Sequence, residues 1–239
     1  KAGEQLPSER ELSEQANISR MTARQAVAYL ERQGVLVVKP GLGTYVVEPK
    51  LTHNPLHLLG FSEETIRQGG APSSSVIEQT LVAPPQSVAA GLQLSPTATV
   101  VKIARLRLSA GTPLLLETVF LPALLCPHLE IVDLSGQSLY ELLAQKYGLH
   151  PVRATQTIEA TLANAYEAEL FGVAVGVPML LLEGITYLAD GKPVEYFKAI
   201  YRGDRFKFAV ENRQQGLEQV ENAKVIHQQI AQGKELTSG

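Results

Sequence analysis

Ser8 and Ser19 stand a short distance apart, each opening a helix-compatible run, and the second run stops at Gly34. Ser8 and Glu11 have the S-x-x-E spacing of a capping box, just after Pro7, so a helix is expected from Ser8 to about Gln15. Asn17 and Ile18 make the turn. Ser19 then caps a longer helix reaching Gln33, with Gly34 supplying the left-handed stop. On that second helix Ala23, Ala26, Val27 and Leu30 fall on one stripe, expected to face a core. Arg20 and Arg24 lie one turn apart, off the stripe.

Two β-rich runs follow, Val35-Leu36-Val37-Val38 and Thr44-Tyr45-Val46-Val47, around Lys39-Pro40-Gly41-Leu42-Gly43. This reads as a hairpin. A hairpin directly after a helix-turn-helix is a wing, so residues 1–49 are expected to form a winged helix-turn-helix.

That shape suits duplex DNA. A helix that enters the major groove needs basic and hydrogen-bonding groups near its start. Ser19, Arg20, Thr22, Arg24 and Gln25 supply them. Ser8 and Arg10 suit phosphate contacts at the start of the preceding helix. In the wing, Lys39, Gly41 and Gly43 can approach the backbone or minor groove, because glycine lets the main chain come close. Taken singly, either arginine reads better as an ordinary solvated residue on an amphipathic helix; the order of the whole arrangement favours DNA.

Charge does not carry this reading. The 239-residue chain has a net charge of −3. Residues 1–50 hold seven Lys/Arg (Lys1, Arg10, Arg20, Arg24, Arg32, Lys39, Lys50) against six Glu (Glu4, Glu9, Glu11, Glu14, Glu31, Glu48), a net +1. The remainder is −4. The placement of the charges must decide.

Residues 50–75 read as a polar connector with Pro, Gly and Ser and one short helix, Glu63–Gln68, that Ser62 can cap. Residues 76–210 contain an approximate repeat. Val100–Leu108 and Leu114–Leu121 are strand-like around Ala110-Gly111-Thr112-Pro113. Eighty residues on, Leu180–Leu188 and Val194–Arg202 flank Asp190-Gly191-Lys192-Pro193. Each hairpin follows a small helix-compatible segment, Ser87–Leu92 and Asn164–Phe171. A helix at Ser138–Tyr147 and a strand at Val152–Leu162 lie between them. The expected class is α+β, with a mostly antiparallel sheet. Residues 211–239 form a polar, Gln-rich tail, read either as a solvated helix or as a loose end.

Strand parity marks an unusual face. In Ile103-Ala104-Arg105-Leu106-Arg107-Leu108 the arginines share one side and the leucines the other. Glu117 has the same parity on the partner strand, and the repeat carries it to Glu195 and Tyr201. Arginines bind phosphate or carboxylate bidentately, while carboxylates accept hydrogen bonds from sugar hydroxyls or an amine. Spacing alone leaves two readings open: a polar pocket, or a solvated sheet face laced with salt bridges.

The motifs resemble a known family. Leu6-Pro7-Ser8-Glu9-Arg10-Glu11-Leu12, then Ser19-Arg20-Met21-Thr22-Ala23-Arg24-Gln25-Ala26, then Gly41-Leu42-Gly43-Thr44-Tyr45-Val46 look like the signature of GntR-family transcription regulators. The resemblance implies that the arginines of the first two segments and the glycine-rich wing work on DNA. The family normally has another helix ahead of the segment matching Gly3-Glu4-Gln5-Leu6-Pro7, and the sequence starts at Lys1, so that helix is expected to be missing.

From about Leu59 to Phe208, the hairpin repeat with Arg105, Arg107, Glu117, Glu195 and Tyr201-Arg202-Gly203-Asp204-Arg205-Phe206 resembles the UTRA effector domain of the HutC subfamily. That implies a chorismate-lyase-like fold and a pocket rather than a solvated face. Phe61-Ser62-Glu63-Glu64 resembles a segment of the effector site in amino-sugar-phosphate-responsive members, adding Phe61 and Ser62. Ser138 and Tyr140 are further candidate contacts, read equally well as a helix cap and an amphipathic ring.

The resemblance implies a homodimeric repressor of duplex operator DNA, released by a small anionic effector, with an amino-sugar phosphate first and a small carboxylate or phosphonate as the rival. The connector near Glu48–Leu59 would carry the change. An enzyme acting on a small anion is the rival of another class, since the family fold is shared with a lyase.

No catalytic arrangement, P-loop or dinucleotide fingerprint is present. His53, His57, His128, His150 and His227 show no metal spacing with Cys126 and read as surface or loop residues. No cofactor or metal is expected. No apolar run nears the ~18 residues that span a membrane, no signal peptide stands at the start, and Cys126, the one cysteine, allows no intrachain disulfide. A reducing cytoplasm is the expected compartment.

Overall fold

The structure, a computed structural model, describes residues 3–47, 50–54 and 60–210. The readings made for the tail and for His57 and His227 lie outside these residues.

Helix α1 spans Glu9–Gln15. The Ser8 hydroxyl accepts from the Glu11 amide while the Glu11 carboxylate accepts from the Ser8 amide, which completes the capping box. After Asn17, whose φ of 52° makes the turn, α2 runs Arg20–Arg32 with Ser19 as its cap. Gly34 follows at φ 69°. Strands β1 (Leu36–Lys39) and β2 (Gly43–Val46) pair antiparallel, so the wing is present with its strands shifted one residue from the sequence-based limits. The segment before α1 joins it: Leu6 donates to the Thr44 carbonyl and Gly3 to Val46, adding a third extended segment. The stripe on α2 is only half buried. Ala23 and Val27 are enclosed, but Ala26 and Leu30 are exposed, because α1 and the wing contact just one side of the helix.

The span read as a connector holds one strand and the start of another. β3 (Leu51–His53) pairs parallel with β10 (Phe206–Phe208), and β4 (Pro72–Val82) joins the main sheet. Helix α3 spans Phe61–Arg67 and starts earlier than expected. Its cap is Gly60, so Ser62 sits inside the first turn and does not cap it.

The main sheet has six antiparallel strands in the order β4-β5-β6-β9-β8-β7, with β5 Val100–Ser109, β6 Thr112–Pro122, β7 Arg153–Leu162, β8 Pro178–Tyr187 and β9 Pro193–Arg202. The repeat is therefore larger than its hairpins. Each half is a strand, a short helix and a hairpin, with α4 (Gln86–Gly91) and α6 (Ala165–Phe171) as the helices. β6 and β9 pair at the centre and β4 and β7 form the two edges.

Strand parity sorts the core. Leu106, Leu116 and Ile200 pack with Ala168 and Phe171 of α6 on one face. On the other, Val101, Ile103, Val119 and Leu121 pack under Leu139 and Leu143 of α5 (Leu139–Tyr147) and under Leu129 and Leu134 of the preceding segment. Arg105, Arg107 and Glu117 continue this second face along β5 and β6 into the region lined by α3 and β3. The polar site thus occupies the far end of a core face, which is why its groups are buried yet surround space.

Candidate functional site

The face beyond the apolar core encloses a cavity of about 100 Å³. Phe61, Arg105, Arg107, Glu117, Ser138, Tyr140, Glu195 and Tyr201 all line it. Ser62 does not line it but is joined to it, since its hydroxyl accepts a hydrogen bond from Arg107 Nη2 at 2.7 Å. All nine residues expected at one site are therefore brought together.

Arg105 and Glu117 are register partners on β5 and β6, and Arg105 Nη2 donates to Glu117 Oε2 at 2.6 Å. Arg107 Nη1 lies 3.5 Å from the same oxygen, and its guanidinium carbon sits 4.7 Å from the centre of the Phe61 ring. Both arginines are almost fully buried, at 2% exposure each. Arg105 Nε and Nη1 and Arg107 Nε have no hydrogen-bond partner. Burying a cationic donor without a partner is costly. Two guanidinium groups against one carboxylate leave an excess positive charge whose free donors are suited to an anion.

The carboxylates differ in state. Burial raises the Glu117 carboxyl, but Arg105 and Arg107 outweigh it and hold Glu117 below the usual carboxylate range. Burial pushes Glu195 up to about 7, with Glu117 adding repulsion, against the hydrogen bonds from Tyr140 and Thr186. Arg105 acts on Glu195 only as the last and smallest of the influences on its carboxyl. Tyr140 Oη donates to Glu195 Oε2 at 2.8 Å and Thr186 Oγ1 at 3.0 Å, Thr186 being its cross-strand partner on β8. Burial lowers Arg107 to about 10 and raises Tyr140 and Tyr201. The cavity thus has a cationic group of walls and a carboxyl-hydroxyl group, with Leu115, Leu182, Phe197 and Ala199 as apolar lining.

Ser138 fills both of its expected roles, capping α5 by accepting from the Glu141 amide and lining the cavity. Sequence reading missed Thr186, Glu64, Gln68 and Gln156, which also line it. Thr186 was within reach, because the hairpin repeat pairs it with Glu195. His53 was misread as a surface or loop residue. It lies on β3 in the cavity wall, with its ring 5.8 Å from that of Tyr201 and edge-on to Phe208 at 5.3 Å. Among the described residues no cluster of side chains has the make-up of a metal site.

In the winged head, Arg20, Thr22, Arg24 and Gln25 are exposed along the start of α2. Ser19 and Thr22 are tied to each other at 2.8 Å through their hydroxyls. Arg10 pairs with Glu14 at 3.0 Å and Arg24 with Glu9 at 3.3 Å, with both arginine side chains 69% exposed. Such pairs are weak, so a phosphate can replace the carboxylate. Lys39 lies 4.8 Å from the centre of the Tyr45 ring. Gly41 takes φ +76° at the wing tip. Gly43, at φ +114°, has a second reason to be glycine: a Cβ there would collide with Gln5 Nε2, and that nitrogen donates to the Leu42 carbonyl.

Residues 67–207 match the UTRA domain, and residues 1–46 match the bacterial regulatory proteins of the gntR family. The chain belongs to the GntR family of transcription regulators and carries a UTRA domain. It is 36% identical over 204 residues to the HTH-type transcriptional repressor NagR of Bacillus subtilis (strain 168), covering 85% of this chain and 83% of that one. It is 32% identical over 206 residues to the HTH-type transcriptional repressor PhnF of Mycolicibacterium smegmatis, covering 86% and 83%. The crystal structure of PhnF from Mycobacterium smegmatis superposes with a TM-score of 0.69 at 30% identity, over 90% of this chain and 94% of that one. The regulator is therefore a ligand-responsive DNA-binding protein and not an enzyme. No helix among its described residues is long and apolar enough to cross a membrane.

Proposed function

We propose that the regulator is a homodimeric repressor that leaves its operator when a small phosphorylated sugar, an amino-sugar phosphate first, enters the Arg105–Arg107 cavity. The observation that carries this reading is the set of three buried guanidinium nitrogens without partners, Nε and Nη1 of Arg105 and Nε of Arg107. A phosphate offers enough acceptor oxygens for them and the charge to balance the second arginine. Glu195, Tyr140 and Thr186 then suit the hydroxyl or amine groups of the sugar. That two relatives are named transcriptional repressors supports repression. A dimer would present two α2 helices to a near-palindromic site. Its compartment would be the cytoplasm, where the chromosome lies.

The test is a thermal-shift screen of glucosamine-6-phosphate, its N-acetyl form, small carboxylates and a phosphonate. A ligand that binds only the native state raises its stability, by about 2.7 kcal/mol at 100 times Kd. Sugar phosphates should shift the transition most. A shift with carboxylates or the phosphonate alone would replace the proposed effector class.

A further inference from the structure

Helix α3 touches the cationic walls with its first turn, and its C-cap residue touches the segment behind the wing. At its start, Ser62 accepts from Arg107 Nη2 and Phe61 lies against the Arg107 guanidinium. At its end, the C-cap residue Gln68 turns its carboxamide onto the backbone of Thr52. Thr52 N–H donates to Gln68 Oε1 at 3.0 Å, and Gln68 Nε2 donates back to the Thr52 carbonyl at 2.6 Å. The carboxamide acts as a one-residue strand on β3.

β3 is held on its other edge by β10, with the Leu51 amide donating to the Arg205 carbonyl at 2.8 Å, and Lys50 Nζ reaching the Gly203 carbonyl at 2.7 Å. In the chain it follows the wing strand β2 after only a few residues. Gln68 is thus a hydrogen-bonding partner of this three-residue strand on the edge away from β10.

Gln68 is itself fixed. Its Nε2 also donates to Glu64 Oε1 at 2.5 Å, and Arg67 Nη2 holds both oxygens of Glu64 at 2.6 and 2.8 Å. Glu64 is 5% exposed. The carboxamide has thus committed its acceptor and both donors, so it cannot follow β3 independently of α3. A seven-residue helix is about 10 Å long, and its backbone hydrogen bonds join the Ser62 end to the Gln68 end.

We propose that Gln68 is the positioning residue through which occupancy of the cavity reaches the segment behind the DNA-binding head. This rests on the effector reading above. An anion bound by Arg107 competes with Ser62 for the same guanidinium. Loss or re-aiming of that bond displaces the start of α3, and the Gln68–Thr52 pair passes the displacement to β3. Effector and operator then bias one element with two placements, which is the physical requirement for coupling.

The experiment measures the coupling itself in the intact chain. Operator affinity is read by fluorescence anisotropy with and without saturating glucosamine-6-phosphate, and ligand affinity by calorimetry, for the wild type and for Gln68→Leu. A wild-type coupling of the usual size is about 5–150-fold. With glucosamine-6-phosphate held at saturation for each protein, so that a change in ligand affinity at this cavity-lining residue does not enter, Gln68→Leu should bring the ratio of operator affinities without and with ligand towards one. A Gln68→Leu protein that binds both partners and keeps the wild-type ratio overturns the proposal.

Hydrogen exchange of the Thr52 amide in the wild type provides a second readout that needs no variant. Its protection should change when glucosamine-6-phosphate saturates the protein, and unchanged protection with full operator release overturns the proposal. Failure of the wild type to bind glucosamine-6-phosphate instead overturns the effector reading beneath it.

Discussion

Arg105 and Glu117 face each other across β5 and β6 at 2.6 Å, yet two of the arginine's nitrogens remain without partners. A buried salt bridge made for stability alone would use those groups, because buried donors left unpaired cost free energy. The carboxylate instead fixes Arg105 and leaves donors for a ligand.

Replacing Arg105 by methionine, which keeps much of its length without its charge, should cut the affinity for glucosamine-6-phosphate by at least about tenfold. Each charge-assisted hydrogen bond contributes about 1.5–3 kcal/mol. Operator affinity without ligand should stay at the wild-type level. Calorimetry and anisotropy on the same preparation check both halves, and unchanged ligand affinity would remove Arg105 from the anion site.

Arg20→Ala should weaken operator binding and leave ligand binding intact. A good base contact contributes about 1–3 kcal/mol. A loss that is uniform across DNA sequences would instead make Arg20 a phosphate contact. No loss at all would remove it from the interface.

Glu195 has a folded-state pKa of about 7 against an ordinary value of 4.5, because it is buried. A carboxyl raised in this way binds its proton more tightly when folded. The stability that Glu195 contributes should therefore fall as pH rises from 4.5 to 7 and then level off. Glu195→Gln stays neutral and lacks this component. Between pH 4.5 and 7.5 the variant should gain about 3 kcal/mol relative to the wild type. Denaturant unfolding of both proteins across this range is the check, and parallel pH profiles would contradict the buried, raised state of Glu195.

Gly43→Ala combines a left-handed backbone with a contact on Gln5. The Gln5 side chain can swing away, but then its bond to the Leu42 carbonyl is lost. The strain contributes about 1–3 kcal/mol. Operator affinity should drop with it, while the response of the UTRA domain to ligand in a thermal-shift assay is kept. A variant with wild-type operator affinity would show that the wing does not need this turn.

Local signals were legible in the sequence and distant ones were not. The caps at Ser8, Ser19 and Ser138 and the stop at Gly34 depend on neighbours in the chain, and each is where pattern reading puts it. Parity along β5 and β6 identified the polar face because a strand alternates strictly. β4 escaped notice: its Pro72-Ser73-Ser74-Ser75 start looks like a connector, and an edge strand needs few apolar residues. Extending the repeat back from β7 would have found it. β3 could not be seen, since three residues form a strand only because β10, far along the chain, pairs with them. The same distance hid His53, Glu64 and Gln68, whose place in the cavity depends on that pairing and on α3.

The central claim is that the Arg105–Arg107 cavity and the winged head are linked sites on one regulator. It is tested most directly by titrating glucosamine-6-phosphate into the full chain, free and saturated with a DNA site selected from a random library. Reciprocity requires that DNA weaken ligand binding by the same factor by which ligand weakens DNA binding. The expected result is a weaker ligand Kd on the DNA complex, by a factor matching the ligand-induced loss of DNA affinity. Equal ligand affinities for the free and DNA-bound protein would contradict the account.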